Sequence, residues 1–203
     1  MAGEDSSRDA STRWIETSRG VIRYSELAPL LAERVVRVQE RVEAGAFDDA
    51  RLDEELIRRF HLEFCGDLTP DWAGRWRTVA VQVGPHLPPP PHEVPLRMRE
   101  YALDLAARWE NLTALELLPE ALAFAEGRLL TIHPFADFNG RLTRLWLWEL
   151  LRRLRLPPVE LAPSSAEATT NYLTALRSAD RADFAPLTKL WRTRLEAHGG
   201  GPL

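Results

Sequence analysis

The sequence predicts an all-α domain of seven or eight helices carrying one small β-hairpin. Apolar residues recur three and four apart along most of the chain, the spacing of one helical face. Proline and glycine interrupt that pattern at intervals that suit separate helices rather than a single long one. Period-two alternation, the mark of a half-buried strand, is confined to the stretch WRTVAVQV, Trp76 to Val83.

With 203 residues the chain is long enough to bury most of an ordinary core as one domain. An N-terminal segment, residues 1–24, precedes a helical domain over 25–196, and a disordered tail follows over 197–203. In SELAPLLAERVVRVQERVEAGAF, Ser25 is placed to cap a helix whose inner face is Leu27, Leu30, Leu31, Val35 and Val38. The second helix spans Asp53 to Cys65, with Leu56, Ile57, Phe60, Leu62 and Phe64 as its apolar members and Gly66 as its stop. The strand-like stretch then runs into GPHLPPPPHEVP, where Pro88 to Pro91 exclude a helix because each ring fixes φ and removes a donor. Helices follow from Pro95 to Trp109 and from Pro119 to Ile132. A polar turn leads into another from Arg141 to Leu154, ended by LPP. Ser164 or Ser165 caps the next, and the last runs from Pro186 to Glu196.

Composition narrows the chemistry. The formal net charge is -4, from 26 basic and 30 acidic residues, which argues against a nucleic-acid backbone binder but leaves room for a local anion site. Lys189 is the sole lysine, so Schiff-base chemistry has almost no candidate, while arginine offers planar forks suited to phosphate. Cys65 is the sole cysteine, excluding an internal disulfide or a Cys-based zinc site; its setting at a helix end reads as a buried structural thiol. No apolar run approaches the roughly 20 residues a membrane-spanning helix needs, so a cytoplasmic location without membrane partners is expected.

The chemistry concentrates in TIHPFADFNGRLTRLWLWELL, Thr131 to Leu151. Pro134 disfavours helix at His133, and Asp137, Asn139 and Gly140 have the side chains of a tight turn. The helix that starts at Asn139 to Arg141 presents free N–H groups, an anion site by geometry and by dipole. Arg141 and Arg144 are neighbours on one face beside it. Asp137 is a lone carboxylate in this positive setting, sufficient for a Mg²⁺ held otherwise by phosphate and water. His133 is the evident general base. Phe135 belongs to the core, as do Trp146 and Tyr172, the two aromatics placed to stack on a base if they are not buried.

HPFADFNGRLTR resembles the signature of the Fic (Fic/Doc) family: His-Pro-Phe, any residue, Asp or Glu, Gly, Asn, Gly or Lys, Arg, and a further Arg. Every defined position agrees except Phe138, which stands where the family has glycine. The stretches RRFHLEFCGDLTPDWAGRWRT and NYLTALRSADRADFAPLTKLW are similar to the family's flanking segments. The resemblance implies a Fic-type helical domain that transfers AMP from ATP to a Tyr, Thr or Ser hydroxyl of a target protein. It implies His133 as base and Asp137 as the Mg²⁺ ligand. Phe138, Asn139, Gly140 and Arg141 then form the nucleotide cradle, with Arg144 on the γ-phosphate. Glycine at 138 would let the backbone approach the phosphates; phenylalanine there either keeps ordinary dihedral angles and points away, or crowds the nucleotide. Other outcomes of the same site are transfer of a phosphoryl, phosphocholine or different nucleotide group, removal of AMP, or a weakly active binding module of a toxin–antitoxin pair.

Two further expectations come with the resemblance. A target-binding flap would fall at Val79 to Pro95, with Val79, Val81 and Val83 as an edge strand that pairs with the substrate chain. Family members are also silenced by a helix with Ser or Thr, three residues, then Glu; Thr12 and Glu16 in TRWIET have that spacing, followed by Thr17 rather than Gly or Asn. The inhibitory segment is alternatively supplied by an antitoxin-like partner protein, and a homo-oligomer is a further partner class.

Overall fold

The computed structural model describes residues 13–199, so Thr12, the first part of the N-terminal segment and the last four residues of the tail lie outside it. A two-stranded antiparallel hairpin, β1 (Trp14–Thr17) and β2 (Gly20–Arg23), leads into α1 (Tyr24–Glu43). Then come α2 (Glu54–Cys65), α3 (Val94–Glu110), α4 (Leu118–Ile132), α5 (Asn139–Arg153), α6 (Ala166–Ala179) and α7 (Ala185–Gly199). Seven α-helices and one hairpin are the all-α architecture the sequence predicts. The last helix extends three residues past Glu196.

The hairpin is not where alternation placed it. Residues 78–83 form no strand; Val83 and His86 make one isolated antiparallel bridge. The segment has nothing to pair with, because the returning arm is the proline run and Arg77 already draws on the carbonyls of Val79 and Pro89. The strands lie instead in the N-terminal segment, where alternation is weak because only Ile15 is buried. The hairpin is anchored from outside its own ladder: the Ser18 N–H donates to the Leu68 carbonyl at 2.8 Å and the Ser18 hydroxyl to the Asp67 carbonyl at 2.7 Å.

Local chemistry sets the helix ends. Asp53 caps α2, its Oδ1 accepting from the N–H groups of Glu55 and Leu56, and Ser165 rather than Ser164 caps α6. Ser25 does not cap α1. That helix begins one residue earlier, directly from β2, and the Tyr24 N–H is satisfied by the Arg13 carbonyl at 2.7 Å. Gly66 ends α2 with ordinary right-handed angles, so its small size matters for another reason. A Cβ there would stand 2.5 Å from the Leu62 carbonyl oxygen.

α4 is the centre of the molecule, packed on α3, α5, α6 and α7. It is apolar on every side, as a helix enclosed by others must be. Its one buried carboxylate, Glu126, accepts from the Tyr172 hydroxyl and the Trp191 indole, each at 2.7 Å, and from Arg194 at 3.1 Å. Three donors converging on one acid hold α6 and α7 against α4. Trp146 is fully buried in α5 and donates to the Tyr101 hydroxyl, which donates to the Ala125 carbonyl. These bonds commit Trp146 and Tyr172 to the core. Among the described residues no helix is long and apolar enough to cross a membrane.

Candidate functional site

The six residues between α4 and α5 carry two left-handed turns. His133 ends α4 with φ 50° and Phe138 opens α5 with φ 63°. A side chain resists this region by roughly 1 kcal/mol or more, so the surroundings must impose it. Asn139 does part of that from within. Its Oδ1 accepts from the Phe135 N–H at 3.0 Å and its Nδ2 donates to the Phe135 carbonyl at 2.9 Å, so the side chain staples the turn and is not directed at a ligand. Phe135 is fully buried, as its sequence position predicts.

His61 holds the same turn from α2. Its Nδ1 accepts from the Gly74 N–H at 3.0 Å, which leaves Nε2 protonated to donate to the Asp137 carbonyl at 3.2 Å. The ring lies flat on Phe135, with centroids 3.8 Å apart and planes within 6°. Burial draws its pKa down to about 4, so it stays neutral and acts as a fixed donor. Gly74 can approach α2 this closely only without a side chain, since it has φ +67° and its Cβ would meet that of Leu62 at 2.9 Å. Cys65 is the buried thiol expected, donating to the His61 carbonyl with its pKa pushed up to about 12 by burial.

Phe138 follows neither of the two expected courses. It adopts the strained left-handed angles of a glycine and still points away from the helix mouth, 4% exposed, into an aromatic nest with Trp72, Phe64 and His61. The strain is offset by burying a phenyl ring. Phe138→Gly removes both: relief of about 1 kcal/mol against the 3–5 kcal/mol typical of emptying a buried aromatic site. We expect chemical denaturation to show a net loss of roughly 2–4 kcal/mol, while activity at a permissive temperature stays within a few fold, because the ring does not face the helix mouth. A large change in nucleotide affinity would contradict this placement.

The opening of α5 is accessible. Arg141 and Leu142 donate to the Phe138 carbonyl, whereas the N–H groups of Asn139 and Gly140 have no acceptor among the described residues. A Cβ built on Gly140 would meet nothing within 4 Å. Glycine therefore keeps the helix mouth clear, and two free donors at the positive end of a helix can receive an anion. Arg141 and Arg144 stand one turn apart beside it, both half-buried; Arg141 donates to the Tyr24 hydroxyl. Arg144 lies near Tyr172, whose pKa is raised by burial and by Glu126 and partly relieved by the charges of Arg194 and Arg144.

At the other side of the turn, His133 donates from Nδ1 to the Leu130 carbonyl at 3.3 Å, which leaves Nε2 with its lone pair. Its pKa is lowered to about 4, chiefly by burial, with Arg77 and His86 adding repulsion. The ring is a neutral base. Asp137 is paired with Arg13 of the N-terminal segment, Oδ2 to one guanidinium nitrogen at 3.0 Å and Oδ1 to the other at 3.2 Å. Burial raises its pKa, opposed by Arg13, the Phe138 N–H and Arg141. Arg13 also stacks on the Tyr24 ring, so one side chain spans the room between the carboxylate and the cradle.

Among the described residues no group of three or more His, Cys, Asp or Glu side chains could cage a metal ion. The donor set here fits a hard divalent cation that brings its own phosphate and water ligands, since it offers one carboxylate and no more. A cleft of about 660 Å³ between α2, α3 and Arg153 contains none of these residues and is a separate feature.

The turn thus gathers His133, Asp137, Phe138, Asn139, Gly140, Arg141 and Arg144. Glu16 is not among them. It lies exposed in β1 opposite Val21, on a strand and not on a helix. Val79 and Val83 are exposed in the loop before the proline run, with Val81 half-buried. Sequence reasoning missed Arg13, Tyr24, His61, Arg77 and His86. His61 and Arg77 had a faint signal, a histidine on an apolar helical face and an arginine directly after Trp76. Arg13 and Tyr24 had none, since they reach the site from 124 and 117 residues away.

Known proteins are similar to this chain in sequence and in fold. The Fic/DOC family pattern matches residues 51–151, which include α2 to most of α5. The Protein adenylyltransferase Fic of Drosophila melanogaster is 33% identical over 135 residues, 66% of this chain. The match spans only 26% of that protein, about a quarter of its length. In three dimensions, the fold is similar to that of the VirB-translocated effector BepC from Bartonella tribocorum, solved with bound AMPPNP. The TM-score is 0.70 at 17% identity, covering 90% of this chain and 92% of that one. Fic-1 of C. elegans superimposes with a TM-score of 0.65 at 25% identity, over 83% of this chain and 48% of that chain. In matched segment, turn and helical frame, the chain belongs to the Fic/DOC family.

Proposed function

We propose that this chain is an AMP transferase that moves the adenylyl group of ATP onto a hydroxyl of a target protein. The observation that carries this is the α4–α5 turn, where a neutral imidazole with a free Nε2 faces the turn whose far end is a helix mouth with two unused N–H donors and two arginines. The names of the related adenylyltransferases and the AMPPNP complex of a similar fold point the same way.

In this reading the phosphates rest on the N–H groups of Asn139 and Gly140 and against Arg141, with Arg144 on the terminal phosphate. His133 Nε2 takes the proton of the attacking hydroxyl as its oxygen bonds to the α-phosphorus. The bond from that phosphorus to the bridging oxygen breaks, and pyrophosphate leaves. Asp137 would hold Mg²⁺, which would supply charge neutralisation for the phosphates when bound. The protein's own donors then stabilise the leaving side, and the turn orients the base. The Val79–Pro95 loop is the target-binding flap in this reading. Glu16, exposed on a strand, is less suited to silencing the second arginine than a helix-borne glutamate. Arg13, seated on Asp137, is the better candidate for restraint within the chain.

Incubation with α-labelled and with γ-labelled ATP, Mg²⁺ and a lysate tests the reading. Protein labelled only from the α position is the expected result. Label from the γ position would make the site a kinase, and no label from either would leave it a binding module.

A further inference from the structure

We propose that Arg77 is a positioning residue for His133, a buried guanidinium clip that fixes the orientation of the imidazole and ties the flap loop to the same turn. This rests on His133 being the base of the reaction just described.

The carbonyl end of α4 raises the problem that Arg77 solves. The last turn of any helix leaves its carbonyls without intrahelical partners, and a helix that ends in the protein interior must find donors for them. Each one here has its own. The His133 N–H takes the Leu129 carbonyl at 3.0 Å and the His133 ring takes that of Leu130. His86 takes Thr131 through Nε2 at 2.8 Å. Arg77 serves the next three, with Nε on the His133 carbonyl at 2.8 Å, a terminal nitrogen 3.4 Å from that of Ile132, and its own backbone N–H on Pro134 at 2.9 Å. The remaining guanidinium donors reach Val79 at 3.0 Å and Pro89 at 2.5 Å, the two arms of the flap loop.

Arg77 is 4% exposed and none of its contacts is a carboxylate. A buried cation costs several kcal/mol unless something answers its charge, and here only backbone carbonyl dipoles do so, from the C-terminus of α4 and from the loop. A stabilising ion pair would have been simpler. The planar fork is what the site needs: one side chain bonding carbonyls from the base's turn and from both flap arms at fixed angles, which a lysine ammonium cannot reproduce. The left-handed angle of His133 aims its carbonyl at Arg77 and allows its ring to curl back on Leu130, so the Nδ1–H form and the clip support one another.

Arg77→Lys keeps the charge and loses the fork. In wild type, two-bond ¹H–¹⁵N correlation of the histidine rings should show His133 protonated on Nδ1, and the Nε–H of Arg77 should be protected from solvent exchange. In Arg77→Lys we expect a mixture of both His133 tautomers, ATP affinity within about three-fold, and kcat reduced by about 100-fold, the penalty of a misplaced reacting group. Unchanged tautomer and kcat, or a parallel loss of ATP affinity and kcat, would overturn the proposal. If the variant does not fold, the two wild-type resonances still decide: an Nε2–H form of His133 or a rapidly exchanging Arg77 Nε–H overturns it. A shifted tautomer in a protein that never transfers label would uphold the positioning role and remove the transferase reading instead.

Discussion

His133→Ala is expected to lower label transfer from α-labelled ATP by about 10³-fold, with ATP binding within a few fold, because the cradle lies across the turn from the ring. The pH profile should identify the same group. The base works only when neutral, and its pKa is lowered to about 4. Transfer should therefore hold its rate as pH falls through 6.5, where an ordinary histidine would lose it, and decline only near pH 4. An acid limb centred near 6.5 would show that the base is not this imidazole in this setting. Stability must be followed in parallel. His61 and His133 both sit near 4 in the folded chain against 6.5 when unfolded. Between those values the unfolded chain binds protons that the native one refuses, so stability is intact above pH 6.5, falls as pH drops, and levels off below about 4. At about 1.36 kcal/mol per unit this amounts to roughly 3 kcal/mol for each ring.

Substitutions at Asp137 and Arg13 should act in opposite directions. Asp137→Asn removes the single carboxylate offered to a cation and should cut Mg²⁺-dependent transfer by about 10²-fold. Arg13→Ala frees Oδ2 of Asp137 and leaves Oδ1 to the Phe138 N–H alone. Arg13 is 46% exposed, so the pair is screened and worth about 0.2–1 kcal/mol, equivalent to a Mg²⁺ requirement lowered about 1.4- to five-fold. Mg²⁺ titrations of transfer and of nucleotide fluorescence measure both. An Arg13→Ala protein with an unchanged requirement would remove the N-terminal segment from any part in restraining the site. Asp137 loses a neighbour that lowers its pKa in that variant, so its carboxyl should also titrate higher than in wild type.

Much of the molecule was legible because local rules decide it. Helix spacing, a Ser cap at 164 or 165 and proline exclusions placed seven helices within a few residues of where they lie. The strand-like stretch at 76–83 misled for a physical reason. Alternation reports a face awaiting a partner, and here the carbonyls of the loop are taken by Arg77 and its returning arm is proline. The true hairpin was obscure because its strands bury little, and it is fixed by bonds from Ser18 to residues about 50 positions away. Phe138 shows the same limit at one residue. Its identity signals a departure from glycine, but only its neighbours Trp72, Phe64 and His61 decide that the ring turns inward and the backbone keeps the glycine angles.

The amino-acid order by itself determined the chemical inventory of the turn, with imidazole, carboxylate, clear glycine and two guanidinium groups within twelve residues, because contiguous residues at a helix start are neighbours in any fold. Tertiary structure decided their states: which nitrogen of His133 keeps its lone pair, what occupies Asp137, and what holds a strained turn in place. Those depend on Arg77, His61 and Arg13, which packing brings to the turn from 55 to 124 residues away. Burial and hydrogen bonding act through space, and no spacing along the chain encodes them.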